Sequence, residues 1–177
     1  MLDVFNPANA LDNLQAFFAA GGNVLVVIMA VTFVMWLLVL ERVLFFVTGG
    51  SSVRKRAEKS WEARSDKTSW YAFAIREKSI SEVGQTTMSN LGVIKGLIAI
   101  LPLLGLLGTV TGMVEVFDVM ASTGSSNARL MAGGITKATI PTMAGLVASL
   151  SGIVMANIIE GMAQREVRDA THNIVIG

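Results

Sequence analysis

Two threonines are the residues best placed to do chemistry in this chain. Thr109 lies six residues before Glu115 and Thr142 five residues after Lys137, each inside a long apolar run. A hydroxyl donates and accepts hydrogen bonds, so two of them at similar depth in neighbouring helices can line a pore. Each can equally bond to a carbonyl one turn back on its own helix, which carries no function. Spacing alone leaves both readings open. Glu115, Asp118 and Lys137 flank the turn between the two runs, where Glu115 and Lys137 can pair if the helices adjoin.

Other chemistries find little support. The chain has no cysteine, which excludes disulfides and thiolate metal sites, and its one histidine, His172, cannot build a metal centre alone. No nucleophile, acid–base pair or ligand set falls inside the apolar runs, so neither an enzyme nor a cofactor is expected. A net charge of +1 implies no nucleic-acid partner.

The elements that must hold the threonines are membrane helices. Of 177 residues 53% are hydrophobic and 15% charged, against roughly 25% charged in soluble domains. The apolar excess falls in residues 24–40, 96–114 and 138–159, the last without a charged side chain. About 20 residues are needed to cross roughly 30 Å of hydrocarbon. The fold class expected is therefore all-α integral membrane, with three transmembrane helices and cytoplasmic helical extensions. One membrane domain is expected over 1–177: an outer amphipathic helix to residue 22, spans at 23–47, 93–119 and 136–160, a cytoplasmic loop at 48–92, an outer turn at 120–135 and a cytoplasmic tail from 161. Leu11, Leu14, Phe17 and Phe18 give the first segment its apolar face, with Asn9 as its cap.

Charge sets the expected topology. Residues 48–90 hold eight basic side chains, from Arg54 to Lys78, whereas the first 23 residues hold none. Lysine and arginine stay on the cytoplasmic side, so the loop is inside, the amino terminus outside, the turn bearing Arg129 outside, and the tail with Arg165 and Arg168 inside. The acidic, base-free start does not resemble a cleaved signal peptide.

Small residues predict how the helices meet. Ala138, Thr142, Gly145, Ser149, Gly152 and Ala156 follow at steps of four and three along one face of the third span, and Gly105, Gly108 and Gly112 mark the second. Small side chains permit close approach in lipid, so these are packing positions. Pro102 and Pro141 each remove a helix hydrogen bond and predict kinks, and the freed carbonyls need partners or water. Lys95 and Glu160 read as snorkelling side chains at inner helix ends, and Glu41 and Arg42 as anchors at the inner end of the first span.

The run Leu101-Pro102-Leu103-Leu104-Gly105-Leu106-Leu107-Gly108-Thr109-Val110-Thr111-Gly112-Met113 resembles the second-span signature of the MotA/TolQ/ExbB proton-channel family. Gly133-Gly134-Ile135-Thr136-Lys137-Ala138-Thr139-Ile140-Pro141-Thr142-Met143-Ala144-Gly145-Leu146-Val147-Ala148 is similar to its third-span signature. The size is most like the ExbB branch. The resemblance implies a homo-oligomer, pentameric in this family, around the single membrane helix of an ExbD-like partner, with a TonB-like protein carrying energy from the bacterial inner membrane. It also implies that the proton carrier is the partner's aspartate and that Thr109 and Thr142 are pore-facing. Many relatives have glutamate where this chain has Lys137, so Lys137 is read with Glu41, Arg42 and Glu115 as a structural charge.

A TolQ-like subunit for envelope integrity shares every one of these arguments. A MotA-type stator fits less well, because about 43 loop residues leave little room for a rotor-engaging domain. A non-conducting scaffold assembled by the small-residue stripes is the reading from another class, and it expects both threonines to tolerate alanine or valine.

Overall fold

The computed structural model describes residues 7–123 and 128–174. Five helices follow one another: α1 (Pro7–Thr48), α2 (Gly50–Glu62), α3 (Trp70–Met88), α4 (Leu91–Thr123) and α5 (Ala128–Asn173), with no strand among the described residues. Within Gly21–Thr48, Trp70–Ser122 and Met131–Asn173 the helices are long and apolar enough to cross a membrane. Large apolar side chains point outward along all three, with Phe33 and Val147 each 69% exposed. A water-soluble domain does not present such continuous apolar faces; lipid or other membrane helices cover them.

Local chemistry explains the joints. Gly22 interrupts α1 with φ 64° and ψ −164°, a conformation open almost only to glycine. Helix α1 is already helical at Pro7, so Asn9 lies within it rather than capping it. Ser69 caps α3, its hydroxyl accepting from the Ala72 N–H at 3.1 Å. Asn90, with φ 62°, takes the left-handed step that separates α3 from α4. The turn expected over 120–135 is largely helix: α4 runs to Thr123 because residues 120–123 contain no breaker, and α5 begins at Ala128 and passes through Gly133 and Gly134. Gly134 packs against Val116 so closely that a side chain would not fit, which offsets its poor helix propensity. Arg129 falls at the start of α5, and residues 124–127 of that turn lie outside the described residues. The tail after residue 161 continues as helix to Asn173.

The chain forms two compact units. The first contains Met1–Met35 and Leu97–Ser151, with Leu25, Ile28, Met35, Ile98, Leu101 and Pro141 buried. The second contains Trp36–Gly96 and Gly152–Gly177. Its core joins Trp61, Ala72 and Ile174, flanked by Ala57 and Ile80. Polar clasps reinforce it: Arg54 pairs with Glu166 at 3.0 Å and Asp169 at 3.3 Å, Asn173 donates to Glu58 at 2.7 Å, and Arg76 donates to the Ile174 and Thr171 carbonyls at 2.6 and 3.2 Å. The last two bonds satisfy carbonyls that the end of α5 leaves without helical donors.

Candidate functional site

In the first unit α4 and α5 touch backbone to backbone. A Cβ on Gly105 would sit 2.9 Å from the Thr142 Cα, one on Gly112 2.6 Å from the Ala138 Cβ, and one on Gly145 2.5 Å from the Leu101 carbonyl oxygen. One on Gly108 would overlap the buried Pro141 ring. None of these distances is available to a real Cβ, so glycine is what lets the helices approach. Gly152 is buried in the second unit.

Hydroxyls stitch the seam thus created. Thr142 donates to the Gly105 carbonyl at 2.7 Å, and Ser149, 6% exposed, donates to the Ile98 carbonyl at 3.1 Å. The donors are seven residues apart on α5 and the acceptors seven apart on α4, so the two bonds repeat one antiparallel register about 10.5 Å apart. Gly105 also supplies the carbonyl that the Thr109 N–H takes in the α-helical pattern, so Thr109 and Thr142 converge on one peptide group. The Thr109 hydroxyl donates to the Leu106 carbonyl at 2.7 Å, and Thr111 donates to Leu107 and Gly108 at 3.0 and 3.1 Å. With their single O–H committed, Thr109 and Thr142 keep only lone pairs to offer. Such hydroxyls accept from a protonated carboxyl group or from water.

Lys137 and Glu115 face each other at 3.7 Å near the end of the seam, both well exposed. A cavity of about 170 Å³ opens beside them, bounded by Gly112, Val116, Met120 and Met131, and a more polar depression of about 400 Å³ adjoins the same pair at Gly22, Asn23 and Thr111. No ionisable side chain lies within residues 97–114 or 138–151. The seam itself therefore holds no titratable side chain.

Lys95, Glu160, Glu41 and Arg42 lie in the second unit. Lys95, read as a snorkelling side chain, pairs with Glu160 at 2.9 Å. Arg42, its side chain 7% exposed, pairs with Glu41 at 3.2 Å, stacks over Phe45 at 5.3 Å and donates to the Thr86 carbonyl at 3.3 Å. Asn90 donates to Glu41 at 3.4 Å, so the two adjacent charges hold the joint between α3 and α4. Sequence reasoning did not find that clasp, because a backbone carbonyl leaves no signature in the residue order.

Residues 50–171 match the MotA/TolQ/ExbB proton channel family. The chain is 35% identical over 82 residues to the biopolymer transport protein ExbB of Salmonella typhimurium, covering 46% of this chain and 34% of that protein. It is 38% identical over 74 residues to the biopolymer transport protein exbB1 of Vibrio cholerae, covering 41% and 32%. To the ExbB of Pseudomonas putida it is 33% identical over 82 residues, covering 46% and 25%. The matched segments thus span about a third or less of these relatives. Since the family match runs through α2, α3, α4 and most of α5, including the whole stitched seam, this chain belongs to the MotA/TolQ/ExbB proton channel family.

Proposed function

We propose that this chain is an ExbB-like subunit of a proton-motive-force-driven motor in a bacterial inner membrane. The amino-terminal segment is periplasmic, α2 and α3 are cytoplasmic, and the α5 end is cytoplasmic. Several copies, five by the family pattern, surround an ExbD-like single-span partner, and a TonB-like protein passes the energy to transport across the outer membrane.

The observation that carries this reading is the seam: two threonine hydroxyls that can only accept, within the stretches 97–114 and 138–151 that hold no ionisable side chain, in a chain of a proton channel family. A partner carboxylate supplies the charge that the seam lacks. Protonated, it donates its one O–H to Thr109 or Thr142; ionised, it loses that favourable contact and is expelled toward water. Each proton falling through the membrane potential releases about 2.3 kcal/mol per 100 mV, enough to bias such a two-state step. That the relatives reported above are ExbB proteins favours the ExbB-like role over a TolQ-like one.

Native mass spectrometry of the tagged protein, extracted gently from its own membrane, tests the assembly. A homo-oligomer retaining a smaller single-span protein with an intramembrane aspartate is the expected result. A bare monomer or dimer contradicts it and favours the scaffold reading.

A further inference from the structure

Proline lacks the N–H that an α-helix uses to satisfy the carbonyl four residues earlier. At Pro102 the carbonyl so deprived is that of Ile98, the same carbonyl to which buried Ser149 donates at 3.1 Å from the neighbouring helix. A carbonyl left unpaired in hydrocarbon is costly, and water has no access at a buried position of this seam. The next bond along the register, Thr142 to Gly105, lies one heptad further on, at the turn that bears Thr109.

We infer that Ser149 is a positioning residue: its hydroxyl replaces the missing N–H of Pro102, fixes the course of α4 at the proline, and so holds Thr109 and Thr142 in register. The substitution is reciprocal. Without the proline the hydroxyl is dispensable, because residue 102 then satisfies Ile98 within its own helix. Without the hydroxyl the proline becomes a defect, and α4 must shift to find another donor. The carbonyl exchange stands on geometry alone; its consequence for proton movement rests on the function proposed above.

The chain contains a single Ile–Ala step, Ile98–Ala99, so labelling isoleucine carbonyls with 13C and alanine amides with 15N isolates one peptide group by solid-state NMR. The full-length protein in lipid, with its co-purifying partners, is compared as wild type, Ser149→Ala, Ser149→Thr, Pro102→Ala and the Pro102→Ala, Ser149→Ala double variant. The Ile98 carbonyl signal is expected to move upfield in Ser149→Ala, to stay near wild type in Ser149→Thr, and to be insensitive to residue 149 once residue 102 is alanine. Proton flux is expected to fall in Ser149→Ala and to return in Ser149→Thr. An unmoved Ile98 signal in Ser149→Ala, or an equal shift with and without Pro102, overturns the carbonyl exchange. A shifted signal with undiminished flux overturns the positioning role. Absence of flux in the wild type itself refutes the proposed function and leaves the NMR comparison to decide the exchange. If Ser149→Ala alone does not fold, recovery by adding Pro102→Ala supports the exchange and failure to recover contradicts it.

Discussion

The Thr142 hydroxyl lies 2.7 Å from the Gly105 carbonyl oxygen, on the opposite helix of the seam. Thr109 instead bonds within its own helix, to Leu106. Two threonines with the same proposed role are thus tied differently. Thr142→Val removes an interhelical bond and is expected to lower stability by about 0.6 to 1.7 kcal/mol, whereas Thr109→Val should stay within about 0.5 kcal/mol. Reversible unfolding in mixed micelles checks the difference. Equal losses would mean that the Thr142 bond contributes nothing particular.

The glycines divide by what a methyl group would meet. Gly145→Ala drives its Cβ onto the Leu101 carbonyl and Gly108→Leu drives a larger group onto Pro141, so losses of about 1 to 3 kcal/mol are expected for the first and failure to assemble for the second. Gly92 has no atom within 4 Å of its would-be Cβ, and Gly92→Ala should be neutral or stabilising by up to about 1 kcal/mol. Size-exclusion profiles and thermal stability of the three proteins give the comparison.

Replacing Arg42 tests the clasp at the α3–α4 joint. Arg42→Met keeps most of the apolar stem but deprives Thr86 of its donor and Glu41 of its partner, with an expected cost of about 1 to 3 kcal/mol. Hydrogen exchange should accelerate selectively around residues 86–90. Acceleration spread evenly over the chain would argue against a local clasp.

Asp66, in the connection between α2 and α3, receives the Ser69 hydroxyl at 2.5 Å and the N–H groups of Ser69 and Thr68 at 3.1 and 3.2 Å. These bonds, the Ser69 hydroxyl first, hold its carboxyl below the usual aspartate range. A carboxyl lowered by folding stabilises the fold above its unfolded pKa, about 3.9, and that contribution is lost as pH falls through the lower folded value. NMR titration of the Asp66 carboxyl should show the depressed midpoint in the wild type and a return toward the ordinary value in Ser69→Ala.

Much of this architecture is legible in the residue order. Apolar runs long enough for lipid mark all three crossing helices, and the four-and-three spacing of Ala138, Thr142, Gly145 and Ser149 marks a close seam, because helix geometry alone puts those positions on one face. What escaped was partnership. Ser149 read as a small packing residue, although Pro102 had already announced a carbonyl in need of a donor; the register that joins them depends on how α4 and α5 align. Lys95 and Glu160 read as separate snorkelling groups for the same reason. The turn expected over 120–135 is helical at 120–123 and 128–135, because no proline interrupts either stretch.

Proton flux through the co-purified complex in proteoliposomes, read by an enclosed pH dye under an imposed membrane potential, bears most directly on the role of the seam. With assembly verified by native mass spectrometry, flux in Thr109→Val and Thr142→Val should fall to the level of empty vesicles, and serine at either position should restore part of it. Wild-type flux in both valine variants would contradict the assignment of these hydroxyls to the proton path and leave them as packing residues of a scaffold.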